Sequence, residues 1–347
     1  NEALVGITPE GRKAVIQVDR SITGIPIEKR VWGRKGSVRL SSRLDLLDLE
    51  TGTRTPLDWA AGYRGRVGMS DDGRRIVTAE ALGRGTQVAS IDLESGERTI
   101  LLEHTTNILE SPRPSPNGES TALQYRLRSD QSLRVLLFRT SLIKLGSNSG
   151  EPGQSIGWQQ FPEGHPSGRS EALVTSVSTT DELSGIARQN NISWWSIRKN
   201  RRIDQIRSPR VRYTPLWSSN LISNDLEMLV RGDEGRCEHS TIDVDPETEG
   251  FSTKTVNTVR LEQCPVGQMV RHGHFLYGAA RAQGPADSEL FRVDLRNGHQ
   301  EWLTENNINE AEVRLARGAP ILAFERHIAG HNSGFTYKQV CWARFRD

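Results

Sequence analysis

The histidines are the residues whose spacing first points to a possible chemistry. His272 and His274 form an H-x-H pair, and His327 and His331 lie four residues apart. Each pair alone offers two imidazole ligands, whereas a zinc site usually has three or four protein ligands. The strand pattern described below places the first pair at one turn and the second pair in a loop at the opposite end of the fold. We therefore expect no metal site and no cofactor.

The serine motifs do not predict a nucleophile. The sequence contains no G-x-S-x-G nucleophile elbow, and "GHNSG" at residues 330–334 has the wrong spacing. Two S-x-x-K matches, at 141–144 and 196–199, fall in stretches that are typical of strands or loops rather than of a helix start. By itself, the chain is therefore not expected to be a serine hydrolase.

Positive charge is concentrated in two segments of a chain that is otherwise almost neutral. The formal charge is +2 over 347 residues. Residues 20–43 and residues 198–212 each carry seven Lys or Arg against one acidic residue. Such clusters either solvate exposed loops or bind an anionic partner, for example an acidic glycan or an acidic protein surface. Nucleic acid is not an expected partner, because no recognised nucleic-acid module is present.

One phrase occurs twice in the first hundred residues. "DLETGTRT" begins at residue 48 and "DLESGERT" begins at residue 92. A second element precedes each copy and recurs once more, at 5–16, 67–78 and 112–123. It combines a short apolar stretch, a Ser/Thr-x-x-Gly turn and an alternating strand, so each unit begins with two strands joined by a tight turn.

The turns and their period predict the fold. Gly11, Gly73 and Gly118 stand where a tight hairpin needs a positive φ. Weaker copies of the strand–turn–strand pattern follow at 172–187, 215–230, 268–280 and 312–325. Seven units of about 40–50 residues, each with four short strands, are typical of a β-propeller. We predict an all-β fold in which residues 1–347 form a single seven-bladed β-propeller of four-stranded antiparallel blades.

Three places depart from the regular repeat. Residues 20–43 form a long insertion in the first blade, and residues 146–170 form a long connector after the third. The last unit supplies only three strands before Asp347, so its blade is incomplete. The ring closes with three strands, or a partner donates a strand, or a strand was lost when the chain was excised from a longer protein. Second-to-third-strand loops and blade connectors share one face, which we call the top face.

The turn sequences resemble those of a known family. "SPNGE" before a strand and "DLESGER" after one resemble the TolB-like, WD-repeat-like propellers of secreted and envelope proteins. The resemblance implies a scaffold role in a secreted or cell-envelope setting. It implies no chemistry by itself, because the same fold hosts binding modules, lyases, lactonases and peptidase gates.

A lyase is one alternative function. Seven-bladed oligogalacturonate and ulvan lyases, which the chain resembles in blade count and length, cleave acidic polysaccharides by β-elimination. Such an enzyme must neutralise a carboxylate, remove the neighbouring proton and protonate the leaving oxygen. The candidates for these roles are Tyr213, Arg212 and His104, which we place near the starts of inner strands. The histidine cluster of oligogalacturonate lyases is not visible in the fifth unit, which puts that activity in doubt.

The cysteines and the hydropathy set further bounds. Cys237, Cys264 and Cys341 are too few for a disulfide framework and lack metal-binding spacing. We expect buried free thiols, with a Cys237–Cys264 bridge as the alternative. No apolar run approaches the length of a membrane-spanning helix, so no membrane span is expected.

These observations favour a non-catalytic binding or scaffold propeller that recognises a protein or an acidic glycan through its top face. The predicted contact residues are basic or aromatic and lie in the first insertion or near the starts of inner strands: Arg30, Trp32, Arg34, Lys35, Arg64, Arg66, Arg113, Arg212 and Tyr213. Arginine forks would bind carboxylates or phosphates, and aromatic rings would orient the partner. The alternatives are the propeller lyase and the N-terminal propeller gate of a larger serine peptidase.

Overall fold

The structure is a computed structural model of the chain. It describes residues 2–19, 42–57, 65–82, 85–105, 107–108, 112–126, 133–139, 144–148, 155–160, 171–180, 187–196, 201–208, 212–215, 225–231, 237–244, 253–265, 269–281, 288–306, 308–316, 318–329 and 336–345. In several strands only the backbone is described. Every regular element in these ranges is a β-strand, and the strands form seven antiparallel sheets, numbered here in chain order.

The first three sheets contain the clearest repeats. Sheet 1 consists of β1 (Glu2–Ile7), β2 (Lys13–Asp19), β3 (Ser42–Asp48) and β4 (Arg54–Pro56). Sheet 2 consists of β5 (Gly65–Met69), β6 (Arg75–Leu82), β7 (Gly85–Asp92) and β8 (Arg98–Thr105). Sheet 3 consists of β9 (Asn107–Ile108), β10 (Arg113–Pro114), β11 (Ser120–Arg126), β12 (Leu133–Arg139) and β13 (Lys144–Asn148), with the short β9 paired to β11.

The other four sheets follow in the same order. Sheet 4 consists of β14 (Ser155–Gln160), β15 (Glu171–Thr180), β16 (Ala187–Ser196) and β17 (Arg201–Ser208). Sheet 5 consists of β18 (Arg212–Pro215), β19 (Asp225–Arg231), β20 (Cys237–Val244) and β21 (Thr253–Leu261). Sheet 6 consists of β22 (Val270–His272), β23 (Phe275–Arg281), β24 (Ser288–Asp294) and β25 (Gln300–Trp302). Sheet 7 has three described strands, β26 (Asn309–Leu315), β27 (Ile321–Ala329) and β28 (Thr336–Arg344).

The repeated phrases are turn sequences. Asp92 Oδ1 accepts hydrogen bonds from the backbone N–H groups of Glu94 and Ser95, at 3.0 and 2.8 Å. The same two bonds form at Asp48, at 2.9 and 2.8 Å. These Asx-type turns connect the third strand of a sheet to the fourth. The hairpins between first and second strands have the predicted positive φ, between 68 and 72° at Gly11, Gly73 and Gly118.

Apolar side chains fill the spaces between neighbouring sheets. Val15 and Leu44 of sheet 1 pack against Val67 and Ile76 of sheet 2, and equivalent clusters join sheets 2 and 3, 5 and 6, and 6 and 7. A further cluster joins sheet 7 back to sheet 1. The sheets joined by these clusters therefore pack face to face, and the last sheet returns to the first, as expected of a propeller. No helix in the described ranges is long and apolar enough to cross a membrane.

Two expectations about strands were wrong. The predicted connector 146–170 contains the first strand of sheet 4, β14, whose six residues each pair with β15. Glycine, serine and proline dominate this stretch and hide the short strand around Ile156 and Trp158. His104 does not begin an inner strand, because it lies near the end of β8, the outer strand of sheet 2. Register shifts between β7 and β8 let β8 extend to Thr105.

The cysteine prediction was wrong for two of the three residues. Cys237 and Cys264 form a disulfide, with Cα atoms 5.3 Å apart. Cys237 begins β20 and pairs with Leu261 on β21, so the chain needs only three further residues to bring Cys264 back over the start of β20. Cys341 is a free, half-buried thiol, and burial raises its pKa.

Candidate functional site at the ring-closing seam

The ring closes where sheet 1 meets sheet 7, and we call this contact the ring-closing seam. Its apolar part contains Leu4 and Ile16 of sheet 1 and Ile321, Ala323 and Val340 of sheet 7, all of them buried. Full burial of an aliphatic side chain of this kind contributes about 1.5–3 kcal/mol relative to exposure. Burial of apolar surface therefore supplies much of the stability of the seam.

No backbone ladder joins the two sheets at the seam, because among the described residues β1 pairs only with β2 and β28 only with β27. Carboxylates accept the N–H groups instead. The Leu4 N–H donates to Glu325 Oε1 at 2.9 Å, and the Val340 N–H donates to Glu2 Oε2 at 3.1 Å. Each carboxylate reaches from one sheet to the backbone of the other, so two side chains make bonds that paired strands would otherwise supply.

Glu325 is the centre of the polar part of the seam. Its side chain is only 2% exposed. Besides the Leu4 N–H, it accepts a hydrogen bond from Lys338 Nζ at 3.0 Å and lies 3.4 Å from His327 Nε2. Glu2 in turn forms an ion pair with Arg54. Both carboxylates are therefore compensated by a neighbouring cation, as a buried charge requires.

A second group of buried carboxylates lies between sheets 6 and 7. Asn306 Nδ2 donates to Glu289 Oε2 at 3.3 Å and to Glu310 Oε1 at 3.2 Å, and Arg326 Nε lies 3.2 Å from Glu310 Oε1. Burial raises the pKa of Glu310. The hydrogen bond from Asn306 and the positive charge of Arg326 lower this pKa, whereas the negative charge of Glu289 raises it further. The main cause of the raised pKa of Glu310 is therefore its burial between the two sheets.

A third buried group joins sheets 5 and 6. His239 Nε2 lies 3.2 Å from Glu227 Oε2, and Glu227 also forms an ion pair with Arg271. Burial lowers the pKa of His239 to about 4. His239 Nδ1 is buried and has no hydrogen-bond partner among the described residues, which fits a neutral imidazole whose Nε2–H donates to Glu227.

The three groups of buried carboxylates all lie at interfaces between neighbouring sheets. The carboxylates of these three groups accept hydrogen bonds or form ion pairs with neighbouring chain segments, and none of the three groups includes a serine or thiol among its described partners. In the described ranges no group of three or more His, Cys, Asp or Glu is arranged to hold a metal ion. The contacts of these carboxylates join neighbouring sheets.

The predicted top-face residues fall into three groups. Arg66, Arg113, Arg212 and Tyr213 lie in the first strands of sheets 2, 3 and 5, as expected. Arg113 is half-buried, whereas the side chains of the other three and of His104 lie outside the described part. The remaining predicted residues, Arg30, Trp32, Arg34, Lys35 and Arg64, lie outside the described residues.

The histidine pairs behave differently from one another. His272 ends β22 at the predicted turn, and its ring contacts Phe345 edge-on at 5.3 Å, while His274 lies 4.2 Å from Phe275. His327 was expected in a loop but lies within β27, which continues to Ala329. His331 lies outside the described residues.

Comparison with solved structures confirms the propeller fold. The β-propeller domain of the Trilobed protease from Pyrococcus furiosus, reported with an open velcro topology, is 9% identical, with a TM-score of 0.60 over 98% of this chain and 95% of that one. Acylaminoacyl peptidase from Pyrococcus horikoshii is 11% identical, with a TM-score of 0.63. Hydrazine synthase from Kuenenia stuttgartiensis is 12% identical, with a TM-score of 0.57 over 98% of this chain and 94% of that one.

These similarities extend to the fold and no further. No family model matches the chain, and no curated protein matches it by sequence. All of this chain matches the acylaminoacyl peptidase but spans only 52% of its length. Because the matched proteins include both peptidases and a hydrazine synthase, the shared fold does not determine an activity. The comparisons thus confirm the predicted β-propeller fold, at low sequence identity.

Proposed function

We propose that the chain is the non-catalytic propeller domain of a larger serine peptidase and controls the access of substrates to that enzyme. The observation that carries this proposal is the ring-closing seam, where the described strands of sheets 1 and 7 meet through apolar contacts and carboxylate hydrogen bonds rather than through strand pairing. A seam built from apolar contacts and carboxylate hydrogen bonds separates without breaking a continuous ladder. Such a ring is suited to opening between its first and last sheets.

Two further observations support a gating role. The chain itself has no G-x-S-x-G elbow, so a catalytic serine would have to come from another domain. The comparison that covers the whole of this chain but half of an acylaminoacyl peptidase is consistent with a propeller joined to a second domain.

The first experiment treats the full-length protein and, separately, the 347-residue chain with a fluorophosphonate probe, which labels active serine hydrolases covalently. We expect the full-length protein to be labelled and the 347-residue chain to remain unlabelled. An unlabelled, correctly folded full-length protein would overturn the peptidase assignment.

The seam is tested by Glu325→Gln in the full-length enzyme, with Glu301→Gln as a matched control on an exposed ion pair. Weakening the seam is expected to raise the turnover of a long peptide relative to that of a short chromogenic substrate, by about 5-fold. Equal ratios in both variants would show that the seam does not limit access.

A second candidate is recognition of an anionic or protein partner by the top face. It is favoured by the placement of Arg66, Arg113 and Arg212 near the starts of first strands in three different sheets. Reversing these three charges to glutamate is expected to weaken binding of polygalacturonate at least 10-fold. Incubation of the chain with polygalacturonate also tests the lyase alternative, because β-elimination yields unsaturated uronates that absorb ultraviolet light. If the chain is a lyase, Tyr213→Phe or His104→Ala is expected to abolish this absorbance.

The disulfide bears on localisation. Disulfides persist in oxidising compartments, and Cys237–Cys264 therefore supports a secreted or cell-envelope location. Fractionation of the native host would test this: a bridged protein in the secreted or envelope fraction is expected, and a reduced cytoplasmic protein would contradict it.

A further inference from the structure

The outer side of sheet 7 carries an apolar groove, which we call the edge groove. It has a volume of about 550 Å³ and lies between sheet 6 and β28, lined by Leu290, Leu303, Phe324, Cys341, Trp342 and Phe345 among others. Leu303 is 40% exposed and Trp342 37% exposed, so both are among the large apolar side chains left open to solvent. Exposed apolar surface in a groove is typical of a binding site.

The outer backbone edge of β28, beside this groove, pairs with no other described strand. The Val340 N–H donates to Glu2 rather than to β27, so Val340 presents its backbone polar groups to the outer edge of β28. Alternation along an antiparallel strand puts the backbone groups of Trp342 and Arg344 on the same edge. Glu2 covers this edge at Val340, and in the described part of the chain no strand pairs with it beyond that point.

The other sheets show what covers an equivalent edge. In each of sheets 1 to 6 the third consecutive strand of the blade pairs with a fourth strand on its outer side, as β24 does with β25. The edge groove lies where a fourth strand of sheet 7 would pack. The occupant that fits this position is therefore an extended polypeptide segment, which adds main-chain hydrogen bonds to β28 and places alternate side chains in the groove.

The charge of β28 indicates the chemistry of that segment. The strand, TYKQVCWAR, contains Lys338 and Arg344 and no acidic residue. Lys338 is compensated by Glu325, whereas Arg344 is exposed and has no ion pair with any described residue. A second copy of β28 would bring the same positive charges to the interface, and like charges facing each other are destabilising. An acidic segment is complementary.

We propose that the outer edge of β28 and the edge groove bind an extended, acidic segment of a partner protein by β-strand addition. The segment pairs with Trp342 and Arg344, places apolar side chains against Leu303 and Phe345, and sets a carboxylate opposite Arg344. This site lies on the rim of the ring and does not depend on the peptidase assignment.

The test uses Cys341 as a reporter, because it lines the groove and is the one thiol outside the disulfide. The probe is the peptide VEVEVEVEV, which matches β28 in length, and the control peptide is VKVKVKVKV. We expect the acidic peptide to slow maleimide labelling of Cys341 by about 5-fold or more at saturation, and the basic peptide to have little effect.

Two charge reversals separate specific pairing from general attraction. Arg344→Glu is expected to weaken binding of the acidic peptide about 5- to 10-fold and to improve binding of the basic one. The matched control is Arg260→Glu, an exposed arginine of β21 away from the groove, and it should leave both peptides unchanged. Circular dichroism of each variant checks that the fold is retained.

Several results would overturn the proposal. Unchanged labelling with the acidic peptide would show that no strand binds, and equal protection by both peptides would exclude acidic recognition. Protection of Cys341 that rises with protein concentration, together with dimers in sedimentation, would identify a second copy as the occupant. A full-length protein whose Cys341 is already unreactive would show that its own chain covers the groove.

Discussion

The first three sheets and the last three are stabilised by different kinds of contact. Among the described side chains of sheets 1 to 3, one carboxylate, Asp45, is buried. Sheets 5 to 7 bury five, namely Glu227, Glu289, Asp294, Glu310 and Glu325. In sheets 1 to 3 the neighbouring sheets instead approach closely through glycine, as at Gly68, where a Cβ atom would lie 1.8 Å from the Pro112 carbonyl oxygen.

The difference follows from what each region has to join. The early sheets share the same turn sequences. Neighbouring sheets among them pack through aliphatic side chains and small residues. Where the last sheet meets the first, Glu325 and Glu2 each satisfy a backbone N–H group of the facing sheet. Buried carboxylates cost free energy unless they are fully paired, so the later sheets are the more sensitive to changes of charge and pH.

The largest effect is expected in the early sheets, at Gly68→Ala. The added methyl group would overlap the Pro112 carbonyl oxygen, so sheets 2 and 3 must separate, at a cost of at least about 4 kcal/mol. Gly96→Ala is the matched control, because no described residue has an atom within 4 Å of its Cβ position, although its φ of +72° costs about 1 kcal/mol. Chemical denaturation measures both, and equal losses would contradict the close-packing account.

In the last sheets the largest effect is expected at Glu325→Ala. The change removes the acceptor of the buried Leu4 N–H and the carboxylate that pairs with Lys338, which is expected to cost about 3 kcal/mol in the free energy of unfolding. The control is Glu301→Ala, which removes a 42% exposed partner of Arg292 and should cost less than about 1 kcal/mol. If both variants lost equally little, the seam would not depend on its carboxylate.

The two regions also differ in how far the sequence predicts them. The turns of Asp48 and Asp92 join residues two or three positions apart, so their chemistry is visible in a short phrase. Glu325 and Leu4 are 321 positions apart, and no local pattern connects them. The one sequence signal at Glu325 is an acidic residue that follows the apolar run "ILAF" in a predicted strand. A charge in such a place is a sign of a buried polar contact.

Other failures have equally local causes. β14 was missed because strand periodicity is weak over six residues flanked by glycine and serine. The spacing of the cysteines does not predict the disulfide. Cys237 meets Cys264 because β20 pairs with β21, and the register of that pairing is not visible in the sequence. Arg113 and Arg212 lie in first strands, as predicted, because the strand–turn–strand repeat determines where a first strand begins.

A pH effect is expected from His239 in the later sheets. The folded protein keeps this imidazole neutral down to a pH of about 4, whereas the unfolded chain binds a proton near pH 6.5. Stability is therefore retained above pH 6.5 and falls between pH 6.5 and 4, by about 2–3 kcal/mol from this group. His239→Gln, whose amide can still donate to Glu227, should flatten that part of the profile. An unchanged slope would show that other groups cause the acid sensitivity.

The smallest effect is expected from the turn phrase itself, at Asp92→Ala in sheet 2. The change removes the acceptor of two backbone N–H groups on an exposed turn and should cost about 1 kcal/mol. Hydrogen bonds from the Ser95 N–H and hydroxyl lower the pKa of Asp92, so its contribution is present above pH 3.8 and is lost as the pH falls through the folded pKa.

Glu94→Ala, which keeps the same backbone N–H, is the control for this turn. Asp92→Asn keeps an acceptor oxygen without a charge, and a loss as large as that of Asp92→Ala would show that the charge, rather than the turn geometry, stabilises the repeat.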